Sequence, residues 1–500
     1  MLVVLSDLHL TDGTSGSTPS AGALPLLAER LADLAAGASM RADGSYRPIE
    51  RIDLVLLGDV LDVIRSTRWL ESDVRPWDDP QLPAMADAAT AITGAILRRN
   101  DAALSVLRAL ARGMVRLTPC DSMGRRATTA DSASVPVRIH YLVGNADWFF
   151  HLPGPQFDRL RRQLVVHMGL ANEPDVPFPH EPWESNELLQ TLRRHRVLAR
   201  HGDVFDPLSF DGQRDASSIG DLIAVELIGR FAAGVESELA HELPPRTLAG
   251  LRELGDIRPL VLAPAWLEGL LGRTCPSAAL RHRLKCAWDG LADALVEHPF
   301  LRQGEAWRPR DLVDGLARAL KFGQRTPSGW TRSTLEWLHG LRGANSASFA
   351  NHALAEEDFR NRRARHIVYG HTHRAEESPL EASYADGYVL CQTYFNAGTW
   401  RRVYQPAQFA AGGEEFIASD ALTILAFYQG DERGGRPYET WSGTLGINAN
   451  EALLGRRVDA AVREEASIEA SATAPSPRPI RAPHFGAAPT FAASFSTSEE

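Results

Sequence analysis

The heptapeptide YGHTHRA, residues 369–375, places two histidines two apart behind a glycine and the short apolar run Ile367, Val368 and Tyr369. Side chains at i and i+2 of an extended segment share a face. The spacing therefore predicts that His371 and His373 point into one site as neutral nitrogen donors for a metal. A chain with 16 histidines produces an H-x-H pair readily by composition, so the reading depends on the partners supplied elsewhere.

Those partners stand at the ends of other apolar runs. LVVL (2–5) leads into Ser6-Asp7-Leu8-His9, and IDLVLL (52–57) into Gly58-Asp59-Val60-Leu61-Asp62. VRIHYLV (137–143) leads into Gly144-Asn145-Ala146-Asp147, RVLAR (196–200) into His201-Gly202-Asp203, and HIVY (366–369) into the opening motif. Helical patterns such as 24–35 and 88–110 lie between them. Strand–helix alternation with polar residues at the carboxyl ends of the strands predicts an α/β sheet with its site at those ends.

Seven of these residues form one donor set: Asp7, His9, Asp59, Asn145, His201, His371 and His373. Imidazoles mixed with carboxylates and an amide suit two borderline divalent ions (manganese, iron, zinc, cobalt or nickel) better than magnesium. Seven donors exceed what one ion takes and fit two that share a carboxylate. Gly58, Gly144 and Gly370 let the backbone turn and approach without a Cβ clash. Asp62, Asp147 and Asp203 read as acids that orient ligands, with loop capping an equal alternative for Asp203.

The totals limit the classes of function. Five hundred residues, 44% hydrophobic and 23% charged, describe a globular chain of two or three units. A net charge of −10 argues against general nucleic-acid binding. Four scattered cysteines without a CxxC pair fit a reduced chain rather than a disulfide framework or a thiolate zinc site. The apolar run starts directly after Met1, leaving no room for a basic leader segment. No stretch approaches 18 uninterrupted apolar residues, so no transmembrane segment is expected. The expected compartment is the cytoplasm.

Residues 214–360 change character. Ile219, Leu222, Ile223, Leu227 and Phe231, then Leu280, Leu284, Trp288 and Leu291, then Leu312, Leu316 and Leu320 follow helical spacing. This predicts an all-helical insertion, a possible cap, between a first half-core (1–213) and a second (361–455). Strand-like segments at 385–430 are consistent with a second sheet layer. From 456 the chain is rich in Ala, Pro and Ser without a period, the composition of a disordered tail.

The motifs DLH (7–9), GDVLD (58–62), GNAD (144–147), HGD (201–203) and GHTH (370–373) resemble, in order, those of the calcineurin-like metallophosphoesterase family. The resemblance covers residues 1–213 and 361–430. It implies a two-layer β-sandwich flanked by helices. One metal would be held by Asp7, His9, Asp59 and His373, and another by Asp59, Asn145, His201 and His371, with Asp59 bridging. The implied chemistry is hydrolysis of phosphoester or phosphoanhydride bonds by a hydroxide between two ions about 4 Å apart, with Asn145, Asp62 and Asp147 as catalytic candidates. Where many members read GNH, this chain has Ala146, so the leaving group must be acidic or another side chain must protonate it. His151 is the nearest candidate for that acid.

GNADWFF and GHTHR are most similar to the branch that cleaves the pyrophosphate of UDP-2,3-diacylglucosamine, which makes a phosphorylated small-molecule or lipid-linked substrate the expectation. A phosphodiesterase or a protein phosphatase is the alternative, and a non-catalytic scaffold of the same fold is a third. Protein partners are not legible in the sequence.

Overall fold

The computed structural model describes residues 1–119, 132–305, 311–324, 334–338, 349–385, 388–407 and 416–444. The chain is mixed α/β. The strands of its two main sheets are β1 (Leu2–Leu5), β2 (Ile52–Leu57), β3 (Val137–Leu142), β4 (Val197–Ala199), β5 (His366–Tyr369), β6 (Ala375–Ala385), β7 (Tyr388–Ala397), β8 (Ala421–Phe427) and β9 (Tyr438–Thr444); two further pairs, Arg116–Leu117 with Ala133–Ser134 and Val403–Pro406 with Phe416–Ser419, form small ribbons. A five-stranded sheet runs β9-β8-β1-β2-β3 and a four-stranded sheet runs β4-β5-β7-β6.

The strand-end motifs are thus divided between two sheets instead of lining one. In the first, β1, β2 and β3 are parallel, with Leu2 opposite Asp53 and Ile52 opposite Val137. In the second, β4, β5 and β7 are parallel, with Val197 opposite His366 and His366 opposite Thr393. The segment 388–398 joins the second sheet as expected. The segment 422–430 returns to the first, antiparallel to β1.

Parallel strands need both faces covered, and three apolar clusters supply the cover. Leu2, Val4, Val55 and Leu57 meet Ala199, Val368, Phe395 and Ala397 between the sheets. On the far side of the first sheet, Val3, Leu54 and Ile139 share a core with helices α1 (Ala23–Ala38), α2 (Pro83–Arg99), α3 (Asp101–Ala111) and α4 (Pro155–Met168). On the far side of the second, Leu198, Ile367 and Tyr394 pack on Phe349, Ala353 and Phe359.

The periodic stretch 88–110 is two helices, not one. Asn100 breaks it, standing outside helical geometry at φ −104, ψ 15. Its amide donates to the carbonyls of Thr11 and Ile96, the local competition with the backbone that unsuits Asn to a helix interior.

Between Ile219 and Arg360 every secondary element among the described residues is helical, as read. The insertion has its own core, with Phe231, Trp266 and Trp288 buried. It is seated on the second half of the chain: Ile257 forms a β-bridge to Tyr404, and the Tyr404 hydroxyl donates to Glu253. Trp330 and the tail from 456 lie outside the described residues.

His366 gives the fold a pH limit. It is buried among Phe395, Phe427 and Tyr438, and burial, reinforced by Arg365 and Arg196, pushes its pKa down to about 3. The unfolded chain takes up a proton at the ordinary value of about 6.5 while the folded chain refuses it. Stability is therefore lost as pH falls from about 6.5 toward 3. At pH 5 the cost is about 2 kcal/mol. His366→Phe should flatten that part of the stability–pH curve in urea titrations between pH 7 and 5.

Candidate metal centre

The strands stop short of the candidate ligands, which stand on sharp turns beyond them. Asp7, His9, Asp59, His371 and His373 have φ of 55, 48, 50, 67 and 58, in the left-handed region. They make up five of the eight non-glycine residues with positive φ among those described. Such backbone costs on the order of 1–3 kcal/mol per residue and gathers at functional sites. The expectation from the opening motif changes here. β5 ends at Tyr369, so His371 and His373 do not share one face of an extended strand. The left-handed turn sends them into different clusters.

One cluster is Asp7, His9 and His373; the other is Asp59, His201 and His371. In the first, the Nε2 atoms of His9 and His373 lie 3.1 Å apart, and Asp7 Oδ1 is 3.6 and 3.3 Å from them. Asp59 reaches both clusters: its Oδ2 is 3.5 Å from His9 Nε2 and its Oδ1 is 3.5 Å from His201 Nε2. Asn145 Oδ1 lies 3.3 Å from the same His201 nitrogen. All seven candidate residues therefore come together, around two neighbouring groupings.

The outer atoms of these side chains are tied down, which leaves their inner atoms facing each other. His9 Nδ1 bonds Asp62 Oδ2 at 2.9 Å, His201 Nδ1 bonds the Leu57 carbonyl at 2.9 Å, and His371 Nε2 bonds Asp206 Oδ2 at 3.2 Å. An imidazole that donates from one nitrogen presents a lone pair on the other. Asp7 Oδ2 accepts from Ser6 Oγ and the His371 amide. By contrast, Asp7 Oδ1, His371 Nδ1 and His373 Nδ1 are buried without a hydrogen-bond partner. An orphaned carboxylate oxygen of Asp7 and imidazole nitrogen of His371 beside converging lone pairs make a donor set that suits a cation.

The electrostatics agree. Burial pushes Asp59 up, but the facing imidazoles of His201 and His9 more than offset it and hold the carboxyl well below its usual range. Burial lowers His201, yet Asp59, with Asp7 and Asp203, raises it to about 10. A positive charge is thus favoured beside Asp59, and a metal binding there would have to displace the His201 proton. His373 is pushed well below its ordinary value by burial, then by Arg258 and His9.

Two glycines admit this crowding. A Cβ at Gly144 would strike Asp59 Oδ1 and the Asp59 amide, and one at Gly370 would strike Ser6 Oγ and Asp7 Oδ2.

The chain matches no protein-family model and no curated protein.

The supporting acids take different places. Asp62 faces His9 and the guanidiniums of Arg65 and Arg401, a ligand-orienting position. Asp147 spends its oxygens on the amides of Gly144 and Val60 and on the Tyr141 hydroxyl. It therefore acts by clamping the two ligand-bearing loops together, not by touching the centre. Asp203 lies 3.4 Å from Arg214. His151 does not border the cavity over the centre; its Nδ1 is tied to Asp215 at 2.7 Å beside His180. The third His/Asp grouping, His151–His180–Asp215, is closed by Arg214, which donates to the far nitrogen of His180.

A cavity of about 490 Å³ opens over the centre, bordered by Asp59, Asn145, Ala146, His371 and His373. The insertion lines its other side with Ile223, Ala224, Leu260, Val261 and Leu338. Sequence reasoning missed Asp206, Arg65, Arg258 and Arg401. Asp206 was within reach, five residues past His201 in the same polar loop. The arginines stand in no motif.

Of the seven candidate ligands, His371 is the one Asp206 is bonded to, so with an ion in each grouping the loss of Asp206 should affect one more than the other. Asp206→Ala should weaken one of two binding events by about 10- to 100-fold and leave the other within about twofold, read by competitive metal titration.

Proposed function

We propose that the chain is a dinuclear metal-dependent hydrolase of phosphoester or phosphoanhydride bonds, built on the sandwich of the calcineurin-like metallophosphoesterases. The observation that carries this reading is Asp59, whose two oxygens face separate histidine clusters at equal distances of 3.5 Å. A bridging carboxylate with Asp7, His9 and His373 on one side and Asn145, His201 and His371 on the other fits two divalent ions of the manganese, iron, zinc, cobalt or nickel class. Two such ions would lower the pKa of a shared water and draw charge from the phosphoryl oxygens.

The protein's own part is placement. Asp62, Leu57 O and Asp206 hold three imidazoles in one tautomer and one orientation. Asn145 adds a neutral oxygen, so no further negative charge opposes an incoming phosphoryl group. The small side chain of Ala146 supplies no proton, which favours diesters and anhydrides with acidic leaving groups over alkyl monoesters. The apolar wall contributed by the insertion supports a cap that grips the non-phosphate part of the substrate. A lipid-linked or aromatic alcohol suits that wall better than a bare sugar phosphate.

Purified protein loaded with manganese should retain about two ions per chain and hydrolyse bis-p-nitrophenyl phosphate faster than glycerol phosphate. Asp59→Asn should remove nearly all turnover, on the order of 10³-fold or more, with its circular dichroism unchanged. Undiminished activity after exhaustive chelation, or a preference for glycerol phosphate, would overturn this reading.

A further inference from the structure

Beside the first histidine cluster the chain gathers three guanidinium groups on one carbonyl. Gly255 O accepts from Arg65 Nη1 at 3.1 Å, Arg258 Nη1 at 2.9 Å and Arg401 Nη2 at 3.0 Å. Two carboxylates answer these cations: Asp62 lies 3.4 Å from Arg65 and 3.5 Å from Arg401, and Asp256 lies 3.3 Å from Arg401. Arg258 is left over. Among the described residues its only partners are the carbonyls of Gly255 and Ile257 and the ring of His373, whose Nε2 is 3.4 Å from Arg258 Nε.

Arg258 borders the cavity, and its Nη2 is buried with no hydrogen-bond partner. A guanidinium offers a planar fork that suits phosphoryl oxygens. A buried charged donor without an acceptor is costly unless a ligand supplies one. The backbone aims the fork firmly: the Arg258 amide donates to Tyr404 O at 2.9 Å, next to the Ile257–Tyr404 bridge.

We infer that Arg258, carried in by the helical insertion, is the phosphoryl anchor of this centre, donating from Nη2 to a non-bridging oxygen of the bound phosphoryl group beside His373. The inference deepens the hydrolase reading and rests on it for the identity of the anion. It makes the insertion part of the binding site rather than an accessory bundle, and it places a fixed positive charge near the reacting group of a chain whose GN-x-D motif carries only Ala146. Its neighbours Arg65 and Arg401 are positioning residues, since each is already neutralised by a carboxylate.

The test uses the full chain loaded with manganese and inorganic orthophosphate as probe. Arg258→Ala should raise the phosphate dissociation constant by about 30-fold in calorimetry and lower kcat/KM for bis-p-nitrophenyl phosphate by about 100-fold, with metal content unchanged. Arg258→Lys should fall between the two. Low-millimolar guanidinium should restore the alanine variant by about tenfold, a response that a merely structural role would not give. Phosphate affinity within twofold of wild type in both variants, or failure of guanidinium to restore an alanine variant that keeps its metals, would overturn the assignment. Should the alanine variant lose its metals, the lysine variant's phosphate affinity decides alone. Should wild type bind phosphate through Arg258 yet hydrolyse nothing, the hydrolase reading falls and the anchor stands.

Discussion

Everything around the centre answers to one carboxylate with two faces. For Asp59 to present an oxygen to His9 and the other to His201, the loops after β1, β2, β3, β4 and β5 must all meet within a few ångströms. The ladder of the first sheet continues beyond its strands to bring this about: the amides of Asp7, His9 and Leu10 donate to Gly58, Asp59 and Val60. The sheets are then stitched at the same level. The His371 amide donates to Asp7 Oδ2, and the Asp7 carbonyl accepts from Thr399 and Trp400. Ala146 N completes the set by donating to Asp59 Oδ1 at 2.7 Å, which fixes the carboxylate's rotation.

Such convergence has a conformational cost. Five left-handed non-glycine residues in one place is a concentration that packing alone does not call for. The surrounding structure over-determines each of them through buried bonds to carboxylates and carbonyls. Like charges are crowded too: Asp7, Asp59 and Asp62 are all essentially sealed from solvent. Divalent ions would relieve that repulsion, so the metal-free chain should be the less stable form.

The seven residues that come together were legible as a set because chemistry restricts the residue types that suit a divalent ion, and because each follows an apolar run that forms a strand. The allocation of strands was not legible. HIVY and LVVL are both short, buried strands, and nothing in their composition says that they enter different sheets. That division depends on which faces remain to be covered once α1–α4 have packed, a tertiary matter. The two histidines of GHTH illustrate the same limit. Their i, i+2 spacing described a strand face, whereas the chain had already left the strand. Asp206 and Arg258 were hidden for another reason: an Asp in a polar loop and an Arg in a turn between helical elements are the commonest of residues, and only the distance to His371 or His373 gives them meaning.

The pairing of β1 with β8 sets Leu2 beside Phe427, so an early strand is completed by one far later in the chain. During synthesis, β1 with its parallel neighbours β2 and β3 presents an unpaired, wholly apolar edge until residue 421 has left the ribosome. An exposed edge of that kind invites pairing with other nascent chains. The insertion, with a core of its own, lies between the two strands in sequence. The chain is therefore one whose yield should depend on translation speed and on chaperones that shield β1, more than on the stability of the finished molecule.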